Sequence, residues 1–450
     1  MQSDIKVYNH ENGEIQRVQV VRWEKWDNLD FMYMDGNKNA LKCFRDIYAN
    51  YLVPGCPWVF GNMIMFQLPE DVNFSFPLIT EKYGEIEDKL TAATIAIKEG
   101  VRIIGGRPVF KNKAIKDFWK QLEDKNSIFI VCGKLPYTKV IPVGNYAGYL
   151  SQKDVNADMK VNSSFFIMDS FDCATVYDHV GKVFGLCMKN GVVMNPPLYH
   201  REAFLVKRDG SVIIKELDIK DLEIEINGQR FRNGNKTVFY TRMDCSKTPN
   251  SIGKKVVIVG NKVVAVKEKG SIDIPASGFV LSFMKSEDDL RFSPGDEVIY
   301  RGLEDIQFGI QVGNSIIKDG KETKEFISKF YNIRKLERRP YPPSLYPMDF
   351  EKGRAARIAL GCDKNNNPVL VWAEGAGKLN YQKGVDSTGA SLSEMGMIAK
   401  DLGLINAVNL DGGGSAQILL KNKRSLRISD RNKSDNSDAE RLIPQGLILR

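Results

Sequence analysis

Paired cysteines, histidine chemistry, a secretory leader and a membrane-length apolar run are all missing from this chain of 450 residues. The seven cysteines (Cys43, Cys56, Cys132, Cys173, Cys187, Cys245 and Cys362) are odd in number and scattered. No Cys-x-x-Cys pair or Cys/His ligand spacing occurs, so neither a zinc site nor a disulfide framework is supported; reduced, mostly buried thiols are expected. The three histidines, His10, His179 and His200, sit in no hydrolase or metal motif. A Gly-x-Ser-x-Gly elbow and a Walker-type Gly-Lys-Ser/Thr are absent. Gly105-Gly106 follows the apolar run Val101–Ile104 but lacks dinucleotide-loop spacing. No apolar stretch reaches 18 residues, so no membrane span is expected. The start, Met-Gln-Ser-Asp-Ile-Lys-Val-Tyr, has no basic and apolar leader, which favours a cytoplasmic or virion-associated protein over classical secretion.

What is present is ordinary for a soluble globular protein: 43% hydrophobic and 27% charged residues. The length suggests two or three domains. A net charge of +8 raises attraction to a polyanion such as nucleic acid or teichoic acid. Acids are interleaved with the bases, however, and Lys421-Asn-Lys-Arg424 is too short to mark a nucleic-acid site. A mildly basic, solvated surface is the simpler reading, and nucleic acid is not an expected partner.

Residues 1–124 read as a smaller α+β N-terminal domain to which the sequence assigns no role. It holds strand-like runs at Val18–Val21 and Met63–Phe66 and helical patterns at Ile86–Glu99 and Lys113–Leu122. Trp23, Trp26, Trp58 and Trp119, four of five tryptophans, fall here. They offer a carbohydrate-stacking surface, or, more simply, core area. From residue 125 to 450 short strands separated by Gly, Asn and Asp follow one another, among them Ser127–Val131, Lys139–Val143, Val192–Met194, Val212–Lys215 and Val256–Val259. The fold class expected is α+β, with a large mixed or antiparallel sheet and few helices. Lys335–Gly353, with Pro340, Pro342, Pro343 and Pro347, should be an irregular surface loop.

The strongest local signal is Ala407-Val-Asn-Leu-Asp-Gly-Gly-Gly-Ser-Ala-Gln-Ile-Leu-Leu420. An apolar strand runs into Asp411, and three glycines free the backbone to approach a ligand. The amides of Gly412, Gly413 and Gly414 then have the makings of an anion-binding nest, with Ser415 as a further donor. Asp411 there suits a nucleophile, a general base or a metal ligand; a plain Asp-Gly-Gly hairpin is the competing reading. Upstream, Leu392, Met395, Ile398 and Leu402 share one helical face that Gly403 ends. Ser391 and Glu394 have capping-box spacing, so Glu394 has a structural use besides a catalytic one. In Arg354-Ala-Ala-Arg-Ile-Ala-Leu-Gly361 an arginine entering a strand is placed to grip a phosphate or simply to edge the sheet. In Met159-Lys-Val-Asn-Ser-Ser-Phe-Phe166, Asn162 is a turn residue or a polar contact.

The order of these elements resembles the phosphodiester glycosidase family, which includes the lysosomal mannose 6-phosphate uncovering enzyme. The resemblance is clearest from residue 155 onward. Asn162-Ser-Ser-Phe-Phe166 is similar to the family's Asn-Gly-Gly-Phe-Phe, with serines in place of glycines. Ile226–Arg230, Val238–Thr241, Ile274–Leu281 and Pro294-Gly-Asp296 resemble its middle strands. Arg357-Ile-Ala-Leu-Gly361 is similar to Arg-Thr-Ala-Ile-Gly, with Ile358 replacing threonine. Ser387-Thr-Gly through Glu394, Asn409–Ser415 and Glu440-Arg441 match the remaining blocks.

The resemblance implies a hydrolase that cleaves between a sugar's anomeric carbon and a phosphodiester. The substrate would be a capped sugar phosphate, a phosphoglycan or a teichoic-acid-like polymer. Asp411 and Glu394 would be catalytic. Arg357 and the Gly412–Gly414 amides would hold phosphate, and Asn162, Asn409 and Ser415 would contact substrate. No cofactor is expected, although Asp411 beside backbone carbonyls leaves a divalent cation such as calcium open. The competing expectation is a non-catalytic glycan-binding or structural module of a larger assembly such as a phage tail.

Overall fold

The computed structural model describes residues 1–34, 59–60, 63–68, 101–104, 107–114, 116–117, 127–132, 139–142, 148–167, 175, 177–178, 181–285, 289–323, 353–376, 381–432 and 435–450. Trp58, Trp119, His179, the helical pattern at Ile86–Glu99, most of that at Lys113–Leu122 and nearly all of the proline-rich stretch lie outside these residues. The chain forms two compact units: Met1–Met34 with Tyr149–Phe166 and Val183–Arg450, and Asp35–Gly148 with Ile167–Lys182. The second contains an antiparallel sheet of Val59–Phe60, Met63–Leu68, Ser127–Cys132 and Lys139–Pro142, and a hairpin of Val101–Ile104 with Arg107–Phe110.

The first unit is built on antiparallel sheets. Its largest has seven strands. In chain order these are β1 (Gln2–Asn9), β2 (Ile15–Arg22), β5 (Ser315–Lys318), β6 (Lys321–Glu322), β7 (Arg357–Asp363), β8 (Pro368–Ala373) and β9 (Leu404–Asn409). Their order in space is β1-β2-β8-β7-β9-β5-β6. A four-stranded sheet joins β3 (Leu29–Tyr33), β4 (Met159–Asn162), β10 (Ile418–Leu420) and β11 (Gln445–Leu449), in the order β10-β4-β11-β3. Three further antiparallel sheets, of five, three and four strands, occupy the chain between Cys187 and Ile310. The sheet-rich α+β class read from the sequence is the class observed, with one α-helix, α1 (Leu392–Asp401), among the described residues.

Local chemistry explains these elements. Val369-Leu-Val-Trp372 is apolar at every position and buried on both faces, as a central strand requires. Helix α1 begins on the expected capping box. The Ser391 hydroxyl accepts the Glu394 N–H, and the Glu394 carboxylate accepts the Ser391 N–H at 2.8 Å. Leu392, Met395, Ile398, Ala399 and Leu402 then lie against Val18, Val20, Ala359, Val371 and Ala373 on one face of the large sheet. Trp23 and Trp26 are buried, and Trp26 packs on Phe204 and Phe308, so these two tryptophans serve the core. Of the described cysteines, Cys187 and Cys362 are buried and Cys245 is partly so. No described helix is long and apolar enough to cross a membrane.

The N-terminal strands of the first unit pair with strands far along the chain. Val18↔Ala373 through Arg22↔Val369 pair β2 with β8, and Leu29↔Leu449 through Tyr33↔Gln445 pair β3 with β11. Partners 347 or more residues ahead claim these strands, which proximity in sequence does not reveal. Val18, Val20 and Val21 are buried there, each contributing about 1.5–3 kcal/mol. A chain starting at residue 125 should therefore lose about 5 kcal/mol or more, comparable with the net stability of a domain. Urea unfolding followed by circular dichroism should show no native-like transition. A cooperative transition matching the full chain would refute this account.

Candidate active site

The ends of three neighbouring strands meet beside the start of α1. Arg357 opens β7 opposite Ala373, the last residue of β8, and Asn409 closes β9 opposite Ala359. The chain leaving β9 is stitched on both sides. Leu410 N–H donates to the Ile358 carbonyl at 2.8 Å, and Asp411 N–H donates to the Ser163 carbonyl at 2.9 Å. Asn162 Nδ2 donates to the Asp411 carbonyl at 2.7 Å, and Asn162 Oδ1 accepts the Gln417 N–H at 2.9 Å. Asn162 is thus committed to main chain and positions the turn rather than reaching a ligand.

The glycine turn does not form the expected nest. Gly413 has φ +59°, and its N–H is already donated to the Ala356 carbonyl at 2.7 Å. The Gly412 N–H is directed to the Asp411 carboxyl. These two amides do not converge on one open spot, so the three-amide phosphate grip read from the sequence is corrected. Gly414 lies against the Arg441 guanidinium and the Asp430 carboxylate, side-chain ends that a Cβ there would displace. Arg441 is locked to Asp430 through Nε at 3.0 Å and Nη2 at 2.8 Å.

Asp411 is only 9% exposed. Burial pushes its carboxyl up to about 6, against the opposing pull of the Ser415 hydroxyl, Arg441, the Gly412 amide and Arg357. Ser415 Oγ is buried and lies close enough to Asp411 to favour its charge. Arg357, itself buried, donates from Nε to the Ala390 carbonyl at 3.2 Å and from Nη2 to the Gly353 carbonyl at 3.0 Å. A buried acid titrating near neutrality, with two guanidiniums acting on it, suits proton transfer or nucleophilic attack beside an anion.

Glu394 has partners of its own at the start of α1. Arg354 grips it, Nη2 to Oε1 at 2.6 Å and Nε to Oε1 at 3.0 Å, and reaches Glu14 through Nη1 at 3.1 Å. Burial alone would raise the Glu394 carboxyl, but the bonds from Arg354 and the Ser391 amide outweigh it and hold the carboxyl below its usual range. The structure therefore brings Asp411, Arg357, Asn162, Asn409 and the glycine–serine turn together, and gives Glu394 to the helix cap and Arg354. Asn409 is fully buried, and neither its Nδ2 nor its Oδ1 has a partner among the described residues. The sequence reading missed Arg441 and Asp430 as site residues; the Glu440-Arg441 block was their one signal. It also missed Glu374, a buried carboxylate just past β8 that takes bonds from Ser387 Oγ, from Arg17 Nη1 at 3.0 Å and from the Arg427 N–H at 2.8 Å. No group of three or more metal-ligating side chains occurs among the described residues.

Fold and site together define a sheet-rich protein with an acid and two arginines at a glycine turn. The family model of phosphodiester glycosidases matches residues 220–450, just over half of the chain and all of the Arg357–Arg441 region. The chain belongs to the phosphodiester glycosidase family. No curated protein matches it. Similar solved structures include the following. A hypothetical protein from Synechocystis shares 17% identity over 72% of this chain and 59% of its own, with a TM-score of 0.39. The chain thus spans 59% of that protein's length. A putative exported protein from Burkholderia pseudomallei shares 13% identity over 100% and 96%, with a TM-score of 0.40. The catalytic domain of zebrafish N-acetylglucosamine-1-phosphodiester alpha-N-acetylglucosaminidase, auto-inhibited by its pro-peptide, shares 13% over 94% and 88%, with a TM-score of 0.33.

The position of Asp411 has a thermodynamic consequence. Its folded value, about 6, lies above the ordinary 3.8, so folding favours the protonated form. The resulting penalty is absent below the unfolded value, grows between the two values and is complete above the folded one. Asp411→Asn should therefore stabilise the protein at pH 7, by on the order of 3 kcal/mol at most. The gain should vanish near pH 4. Equal melting temperatures for the two proteins at pH 7 would remove burial as the dominant influence on this carboxyl.

Proposed function

We propose that the chain hydrolyses a glycosyl phosphodiester between the anomeric carbon and the phosphate. The observation that carries this is the buried Asp411 carboxyl, held near neutrality with Arg357 and Arg441 acting on it, inside the family's Asn-Leu-Asp-Gly-Gly-Gly-Ser block. Arg441, with a side chain 25% exposed, is the guanidinium within reach of an incoming phosphate. Arg357 adds buried positive charge behind it. Both stabilise charge gathering on the departing phosphate oxygen, so the leaving group needs little help from an acid. Asp411 in its ionised form takes a proton from the water that attacks the anomeric carbon, or attacks that carbon itself to form a glycosyl ester that water then hydrolyses, releasing the sugar and restoring the carboxylate. The C–O bond to phosphate breaks, and the phosphate leaves as a monoester. Asn409 and Ser415 are buried beside Asp411, and would contact substrate only if the turn opened. Glu394 enters as a second carboxylate only if Arg354 releases it.

A panel of chromogenic sugar phosphodiesters tests the proposal. Asp411→Asn should lower turnover by about 10³-fold or more while the fold persists. Turnover in the native chain should rise with pH through about 6, where Asp411 ionises, and then level off. Arg441→Gln removes a charge that lowers the Asp411 value, so the rise should move to higher pH. Glu394→Gln keeps the cap and loses the Arg354 ion pair; a loss under about tenfold assigns it to structure, and a loss near that of Asp411→Asn assigns it to catalysis. No release from any substrate, with glycan binding retained, would replace the hydrolase reading by that of a binding module.

A further inference from the structure

The large sheet ends in two unlike edges. At one, β6 is two residues long and charged, Lys321–Glu322, which protects an edge from pairing. At the other, β1 runs for eight residues, Gln2–Asn9, paired with β2 in unbroken register from Gln2↔Arg22 to Asn9↔Ile15. Only its Tyr8 is even partly buried, and no described strand lies on its outer side. It contains no proline and no bulge. Lys6 and Tyr8 turn toward Asp401 at the end of α1, with Tyr8 Oη donating to Asp401 at 2.8 Å and Lys6 Nζ at 3.4 Å. The alternate residues Ile5 and Val7 face the other way and are 46% and 54% exposed. A long, flat, partly apolar edge is a template for another strand.

Its sequence specifies which strand. When Gln2-Ser-Asp-Ile-Lys-Val-Tyr-Asn9 is laid antiparallel on itself about Ile5, Asp4 falls opposite Lys6 of the second copy and Lys6 opposite its Asp4. On the other face Ile5 meets Ile5, and Ser3 meets Val7. We infer that β1 is a self-association edge through which two copies of this chain form a two-fold symmetric dimer with one continuous sheet. Such an interface is isologous, so each cross-strand ion pair occurs twice. A single strand pair buries less than the roughly 800 Å² per partner of a standard interface, so the dimer is concentration-dependent. The inference does not rest on the proposed hydrolase activity, because none of its residues belongs to the site.

Sedimentation velocity of the full chain over a concentration series tests it. The native protein should pass from monomer to dimer. Asp4→Lys alone and Lys6→Asp alone each turn two attractive pairs into two repulsive ones, and should weaken the dimer about tenfold. The double variant, Asp4→Lys with Lys6→Asp, restores both pairs in swapped form and should restore dimerisation. Circular dichroism checks that the exposed substitutions leave the fold intact. A native chain that stays monomeric throughout would overturn the inference. A dimer indifferent to the single changes, or one that the double change fails to rescue, would do so as well.

Discussion

The main-chain clamp on Asp411 joins the two sheets that build the site. Its N–H goes to the Ser163 carbonyl at 2.9 Å, and its carbonyl takes Asn162 Nδ2 at 2.7 Å. Residues 162–163 lie at the end of β4, and Asp411 follows β9, so this clamp ties the four-stranded sheet to the seven-stranded one. The Asn162 Oδ1 bond to Gln417 extends the tie to the approach of β10. An amide side chain with a donor and an acceptor spent on two main-chain groups fixes both position and direction. The carboxylate can then be buried without being free to swing out to water, which is the condition for its perturbed titration.

Two serines, Ser163 and Ser164, lie beside the same clamp, and two hydroxyls in a buried place need partners. Both donate to Gln445 Oε1, Ser163 at 3.0 Å and Ser164 at 2.6 Å. Gln445 opens β11, beside β4, and is itself buried. The serines add polar contacts beneath Asp411 instead of opening space around it. They also leave the Ser163 carbonyl where the clamp needs it.

Short-range rules made much of this legible from the amino acids alone. The valine-rich strands, the capped helix at Ser391 and the glycine turn each rest on residues within one turn or one strand of each other. Long-range pairing was not legible. Nothing in Ile15–Arg22 announces that Pro368–Ala373 is its neighbour, and nothing near Arg441 announces that Gly414 leaves room for its guanidinium. Of the two carboxylates drawn from the sequence, Asp411 sits among the site's charges, while Glu394 follows its local signal to the helix cap. A capping box can be satisfied by four consecutive residues, whereas the surroundings of Asp411 come from three separate stretches of chain.

Those surroundings set opposing electrostatic demands. Burial favours a neutral Asp411, and a neutral acid near two guanidiniums would leave buried Arg357 with less to offset its own charge. Full ionisation satisfies the arginines but costs desolvation. The outcome, a carboxyl near 6, is a compromise in which neither demand is met fully, so the site carries a stability cost at neutral pH. The cost is borne by parts of the molecule with no conflicting demand: the valine layer of β2 and β8 against α1, and Glu374, whose three donors tie the N-terminal hairpin and the 424–441 segment to the same strand ends. The N-terminal strands are thus part of the site's support although none of their residues touches it. A scaffold of this kind tolerates a perturbed acid because the strain is local and the reinforcement is spread over several sheets.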